Sequence, residues 1–333
     1  MDKVSNSYEA AIAVLSDWGL EGSEISLIKE RENAVFEIIT SCRTRYALRI
    51  HRANYHSDKA LLSELIWMAA VQETEINVPQ VIPTLDKRLF SHVEIANDIR
   101  QVDLFEWVEG EQLGSVEDGL GENLTHINDV FTKIGETAGL LHNQSSQWQQ
   151  PSDFERLAWD TNGLIGEQPN WGCFWKLESL TEQQKSLLAK VTVKAKRALV
   201  EFGCEPQRFS MIHADFSPEN ILYDGNKIQL IDFDDAGMGW HLFEIATALY
   251  SFQSDPNYDT AKSALIQGYR NVRSLSEHDI KQLPLFMALR GIAYLNWLQT
   301  RQTEQAAQAL ADDLVASCML AVKQYLSPLE EVA

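Results

Sequence analysis

The sequence predicts an α+β fold in two parts, a small N-terminal lobe holding an antiparallel sheet plus one helix over residues 1–105, and a larger, mostly helical C-terminal lobe over 115–333. Three observations predict it. Short stretches at 34–40 (AVFEIIT), 44–51 (TRYALRIH), 89–95 and 99–105 have the composition and alternation of strands. Among them, 58–73 (DKALLSELIWMAAVQE) has the spacing of an amphipathic helix, with Asp58 near its start. Beyond residue 115 helical spacing dominates, at 124–147, 181–202, 241–253, 258–271, 277–301 and 303–326.

Each element has a local reason. Residues 7–19 keep helical spacing and stop at Gly19. In 44–51, Tyr46, Leu48 and Ile50 share one face and Ala47, Arg49 and His51 the other, which suits a strand between a core and something polar. Asn97-Asp98 supplies the turn between the last two strands. The segment 106–114 (EWVEGEQLG) turns to acid and glycine, the composition of a connection. Residues 148–175 form a long aromatic loop punctuated by Gly and Pro, either a functional segment or an irregular cover.

Charge narrows the partners. The 333 residues carry 28 basic and 48 acidic side chains, a net charge of −20. Such a surface repels nucleic-acid phosphates and anionic lipids, so no nucleic acid and no membrane is expected as a partner. The excess acid either keeps the protein dispersed, the simpler reading, or favours a cationic substrate. The four cysteines, Cys42, Cys173, Cys204 and Cys318, form no C-x-x-C pair, which speaks against a zinc site or disulfide framework. The opening MDKVSNSYEAAIAVL lacks the apolar core of a signal peptide, and no apolar run approaches the ~18 residues of a membrane span. A soluble, cytoplasmic protein is expected.

The chemistry is concentrated in 209–239, FSMIHADFSPENILYDGNKIQLIDFDDAGMG. An apolar approach leads to a polar loop, then two short strands joined at Asp224-Gly225, then a second acidic loop. This layout is expected to bring Asp215 and Asn220 to face Asp232. Phosphoryl transfer needs these residue types. A carboxylate orients the attacking hydroxyl and accepts its proton, and Mg²⁺, a hard cation, takes carboxylate and amide oxygens. His213-Ala214-Asp215 followed by Asn220 matches H-x-D-x-x-x-x-N, and Asp232-Phe233-Asp234 stands where kinases place D-F-G. The plain alternative is a hairpin with solvated carboxylates.

With these motifs the sequence resembles the aminoglycoside phosphotransferase family, which includes choline, homoserine and bacterial stress-response kinases. TRYALRIHR, INVPQVIPT, VDLFEWVEGE, GLLHNQS and GWHLFEIATALY extend the likeness over nearly the whole chain. The resemblance implies a bilobal protein-kinase-like fold with ATP between the lobes. It assigns Asp215 as catalytic base, Asn220 and Asp232 as Mg²⁺ ligands, and Asp234 as a further candidate for metal or substrate. His213 is implied as a functional residue or, more simply, as one that holds the loop. Glu244 stands where relatives have Asp and is expected to brace the loop backbone.

Kinases place a cation and a small residue on one face of their third strand, and Arg49 and Ala47 hold those places, with Glu64 as the expected partner of Arg49. Arg in place of Lys offers a wider fork to a phosphate. The nucleotide-covering turn has no glycine but has Arg31, Glu32 and Asn33, and Asn tolerates turn geometry. By family analogy the backbone of Glu106 and Val108 contacts adenine.

The expected activity is ATP-dependent transfer of the γ-phosphate to a hydroxyl of a small molecule, such as an aminoglycoside, choline or homoserine-like acceptor. Two alternatives stand beside it, a protein Ser/Thr kinase of the stress-response type and a catalytically silent nucleotide-binding module. A metal hydrolase is a minor reading, since close two-His spacing is missing. Trp159, Trp171 and Trp175 are candidate acceptor walls, and Asp160, Asp235 or Glu244 would face a cationic acceptor, with aromatic faces adding cation–π attraction.

Overall fold

The computed structural model describes residues 3–113 and 119–327, so Gly114, the end of the expected connection, lies outside the described residues. The chain divides into two compact units. The first comprises residues 1–110 with 150–156 and 229–234, and the second comprises 111–149, 157–228 and 235–333.

In the first unit, helix α1 (Lys3–Val14) precedes strands β1 (Glu24–Glu30), β2 (Ala34–Ile39) and β3 (Arg45–Ile50). Helix α2 (Asp58–Gln72) and strands β4 (Ser91–Ile95) and β5 (Asp98–Glu106) follow. The five strands pair antiparallel in the order β1-β2-β3-β5-β4. Strand β1 was not expected from sequence. It is an edge strand with no fully buried residue, so its charged side chains hide the apolar half of its alternation. On one sheet face Phe36, Leu48, Ile50 and Leu104 join Val14, Leu15 and Trp18 in a single buried cluster. Each such side chain contributes roughly 1.5–3 kcal/mol. The alternation of β3 turns Arg49 and His51 to the opposite face, where both are also buried.

The Ser57 hydroxyl caps α2, accepting from the Ala60 N–H at 3.0 Å. The helix buries one face and leaves Asp58, Lys59, Ala69 and Gln72 exposed. Leu61, Leu65, Trp67, Met68 and Val71 are buried, and Trp67 packs edge-on against Phe233 at 5.6 Å. Phe233 arrives from a part of the chain more than 160 residues away, which local periodicity cannot register.

The second unit begins with β6 (Glu111–Gln112), α3 (Leu124–Gln147), β7 (Leu157–Trp159) and α4 (Thr161–Ile165). After α5 (Glu182–Phe202) come the short strands β8 (Phe209–Ile212), β9 (Ile221–Tyr223) and β11 (Gly237–Trp240), while β10 (Ile228–Leu230) stands at the boundary, its last two residues in the first unit. The remainder is α6 (His241–Tyr250), α7 (Tyr258–Val272), α8 (Glu277–Ile280), α9 (Leu283–Thr300) and α10 (Gln305–Leu326). Strand β11 is central to a small sheet, parallel to β7 and antiparallel to β8. The expected long loop at 148–175 thus carries a strand and a helix of its own. The helix expected at 277–301 is two helices, because Pro284 sits in the first turn of α9, where a missing N–H and a fixed φ are tolerated.

Helices α3 and α7 meet backbone to backbone. A Cβ on Gly268 would stand 1.9 Å from the Thr132 carbonyl oxygen, and one on Gly135 would stand 2.0 Å from that of Leu265. Among the described residues no helix is long and apolar enough to cross a membrane.

Candidate active site

In the second unit, the apolar strand β8 carries the chain to His213 and the loop that follows. Both carboxylate oxygens of Glu244, on α6, accept backbone hydrogen bonds, from the N–H of His213 at 2.8 Å and from that of Ala214 at 2.8 Å. Glu244 is fully buried. Burial pushes its carboxyl above the usual range, while the nearby His213 and the two N–H donors oppose the rise. The clamp holds Ala214 at φ +65°, a left-handed conformation that costs a non-glycine residue on the order of 1 kcal/mol or more. Glu244 therefore sits against the loop backbone and is not a wall for a cationic acceptor.

The clamp leaves Asp215 half-buried at the loop tip. Its Oδ2 accepts from Asn220 Nδ2 at 2.7 Å, and its Oδ1 accepts from Arg290 Nη2 at 2.6 Å. Asn220 stands in a short turn, Pro218–Asn220, and its Nδ2 also donates to the Asp215 carbonyl at 2.9 Å. Both amide protons are thereby used, and among the described residues the Asn220 amide oxygen accepts no hydrogen bond. Arg290 was not singled out from sequence. The signal was there in LPLFMALRGIAYLNWL, a lone cation inside an apolar helix. Burial works against its charge, and Tyr294 and Asp215 more than offset that, keeping the guanidinium protonated.

Behind the loop, His142 and His241 stack at 4.1 Å, nearly parallel, and both are buried. The His241 ring bonds the Gln207 carbonyl at 3.0 Å and the Ser210 hydroxyl at 2.8 Å, and the His142 ring meets the Tyr269 hydroxyl at 2.9 Å. Burial holds both imidazoles well below their usual range, helped by Arg273 at His142 and by His142 and then Arg273 at His241. Their folded pKa values are depressed, so the stability they contribute is present above about pH 6.5, where the unfolded chain titrates, and falls as the pH drops below it. The expected loss is about 1.4 kcal/mol per pH unit for each histidine. Urea unfolding at pH 7.5, 6.5 and 5.5 checks this; His56, held down to about 4 chiefly by burial, adds to the same limb, so His241→Phe should flatten it by about a third.

Of the aromatic loop, Trp171 Nε1 donates to Asp235 Oδ1 at 3.0 Å, and Trp159 Nε1 donates to the Asp235 carbonyl at 2.8 Å. Trp159 and Trp171 pack edge to face at 4.8 Å. Trp175 is partly exposed and packs on Phe174. Asp160 departs from its expected place facing a cation. It caps α4, accepting from the N–H groups of Asn162 and Gly163 at 2.9 and 2.8 Å.

In the first unit, Arg49 meets Glu64 at 2.7 Å, the pair expected from sequence. Register adds a partner that spacing did not reveal. Asp103 lies opposite Arg49 on β5, and the guanidinium bonds both its oxygens, at 3.1 and 2.7 Å. Arg49 Nη1 also lies 3.6 Å from Asp232 Oδ1. Arg156 reaches the other Glu64 oxygen at 3.1 Å. His51 bridges Asp103, at 3.0 Å, and Asp234, at 3.5 Å. Although burial opposes its charge, Asp103 raises the His51 pKa to about 9. Burial would raise the Asp103 carboxyl, but Arg49 and His51 hold it below its usual value.

Two expected site residues have other employment here. Asp234 is buried, with His51, His56 and Arg52 around its carboxylate at 3.5 Å each. It belongs to the ionic cluster, where His56, Glu64 and Asp234 converge closely enough to hold a metal ion. Asn33 donates to Asp234 Oδ2 at 3.2 Å and accepts from the Arg52 N–H at 3.0 Å, so its amide ties down the β1–β2 turn. Asp232 is exposed, its side chain 43% accessible, at φ +63°. Ala47 pairs with Glu37 and Phe105 within the sheet. Glu106 ends β5, with its N–H donated to the Gln80 carbonyl at 2.8 Å. Among the described residues the Val108 backbone makes no hydrogen bond.

The sheet-plus-helix unit with its Arg–Glu pair, and the helical unit with a clamped Asp–Asn loop, define a kinase-like phosphotransferase. The model of the phosphotransferase enzyme family matches residues 24–278, and the chain belongs to that family. It is similar in structure to a microcompartment-associated aminopropanol kinase, with TM-score 0.84, 30% identity, and coverage of 96% of this chain and 97% of that one. In sequence it is 20% identical to the amicoumacin kinase of Bacillus subtilis over 86% of this chain and 83% of that protein. A shorter match, 31% identical to the homoserine kinase of Pseudomonas aeruginosa, covers 41% of this chain and 46% of that one. The fold is mixed α+β and protein-kinase-like. The activity is ATP-dependent phosphoryl transfer to a hydroxyl of a small molecule.

Proposed function

We propose that the acceptor is a small amino alcohol, that Mg²⁺ accompanies ATP, and that Asp215 is the base. The observation that carries the roles is the Asp215 carboxylate, fixed on each oxygen by one donor yet still partly open to solvent. Each carboxylate oxygen has two lone pairs, so one remains on each for an incoming hydroxyl. The hydroxyl donates its hydrogen bond to Asp215. As the new oxygen–phosphorus bond forms, the bond from γ-phosphorus to the bridging oxygen of ADP breaks, and the hydroxyl proton passes to Asp215.

Each of Asn220, with an amide oxygen that accepts no bond, and Asp232, with an exposed carboxylate, has the donor chemistry of a hard-cation ligand. When bound, the metal neutralises charge on the phosphate oxygens. Arg49 supplies the cation on the nucleotide's phosphates, held in place by Asp103 and Glu64. The Val108 N–H and Glu106 carbonyl suit the edge of an adenine.

Two things support a cationic acceptor: the net charge of −20 and the likeness to an aminopropanol kinase. The cysteines of the described residues are free, Cys42 and Cys204 of them exposed, which suits a reducing cytoplasm.

The test is acceptor-stimulated ADP release with Mg·ATP across amino alcohols, a quaternary alcohol, homoserine and neutral diols of matched size. The expected result is a kcat/KM for an amino alcohol about 100-fold above that for its neutral isostere, the scale of one charge-assisted contact. Equal use of both would remove the cationic acceptor. ADP release with none of them would return the silent nucleotide-binding module.

A further inference from the structure

We infer that Arg290 is a positioning residue for the catalytic aspartate, fixing both the backbone and the carboxylate of the loop that presents the base. This rests on the reading of Asp215 as that base. Arg290 is fully buried in the middle of α9. Its Nη1 donates to the Ala214 carbonyl at 3.0 Å, and its Nη2 donates to Asp215 Oδ1 at 2.6 Å and to the Tyr294 hydroxyl at 2.8 Å. One planar group therefore holds the residue before the base and the base itself, so rotation of the carboxylate and rocking of the loop are stopped together. The plane is fixed in turn by aromatic rings, with Tyr294 at 4.2 Å, Trp171 at 5.3 Å and Phe243 at 5.8 Å from the guanidinium carbon.

A structural role alone does not account for this choice. A buried guanidinium is costly, and an apolar side chain of similar length would fill the same space in an apolar helix without that cost. Among the described residues Asp215 is the only carboxylate in ion-pair contact with Arg290. The one carboxylate it pairs with is partly exposed and able to be solvated without it. Phosphoryl transfer depends on positioning more than on strong bases, so a carboxylate held by a cation suits the step.

The test compares Arg290→Met, Arg290→Lys and Tyr294→Phe, measuring kcat, KM for ATP, ATP affinity and Tm. Arg290→Met should lower kcat at least 100-fold, with ATP affinity and KM for ATP within about twofold, as expected where only transition-state alignment is lost. Arg290→Lys, which cannot span both oxygens in one plane, should recover part of that loss. In an Asp215→Asn background Arg290→Met should cost little more, because its target is gone. Equal loss of ATP affinity, kcat and Tm, or a fall in kcat below threefold, would overturn the assignment. Should Arg290→Met not fold, Tyr294→Phe decides. A kcat loss with unchanged ATP affinity supports the proposal, and unchanged kcat rejects it. Full activity of Asp215→Asn alone would instead reject Asp215 as the base.

Discussion

Asp215→Asn is expected to lower kcat by about 10³-fold while ATP affinity stays within twofold, because general-base positioning contributes about 10²–10⁴-fold and the substitution removes the carboxylate proposed to accept the hydroxyl proton. Asparagine is the cleaner variant. Both variants remove the counter-charge of Arg290, but asparagine keeps an oxygen for Arg290 Nη2, whereas alanine leaves that buried donor unpaired, a further loss of about 1–3 kcal/mol. Asp215→Ala should therefore lose both activity and stability, and the difference between the two variants separates chemistry from folding. Steady-state kinetics and nucleotide titration measure the first, and urea unfolding the second. A kcat for Asp215→Asn within tenfold of the parent would end the assignment.

Gly268→Ala is expected to be strongly destabilising to the second unit. The added Cβ would meet the Thr132 carbonyl oxygen at 1.9 Å and its carbon at 2.7 Å, and both belong to helix backbone, so no rotamer relieves the clash. The helices must part by roughly an ångström along their crossing, and overpacking of this kind costs about 3 kcal/mol or more. For a chain of this size that corresponds to a fall in Tm of about 6 °C or more. Helix α3 also carries His142, so the altered crossing should reach the support of the catalytic loop. A thermal midpoint within 1 °C of the parent would show that the crossing yields more easily than its geometry implies.

What could be read in the sequence was what lies within a few residues. His213, Asp215 and Asn220 share one turn of chain, and the Arg49–Glu64 pair follows from a strand's alternation and the first turns of the next helix. Features set by register or by distant chain could not be read. Asp103 becomes a partner of Arg49 only when β3 and β5 slide into one particular pairing, and a one-residue shift would turn it to the other face. Arg290 lies 75 positions from the carboxylate it holds. Asp234 and Asn33 carried motif-like positions but are committed to one another across 201 residues. Asp160 was misplaced for a simpler reason. An Asp before a Thr-Asn-Gly run is a strong helix cap, and cap chemistry outweighed any reading of it as a substrate contact.

The ionic cluster around Glu64 has an implication for how the chain matures. Arg156 and Asp234 complete it, yet they are made long after the sheet they join. A nascent chain that has released its first 110 residues still has buried-type charges at Arg49, His51 and Glu64 without their full complement. The cluster gains its last partner only once residue 234 has been made, and because each unit is drawn from three stretches of chain neither can be excised by a single cut.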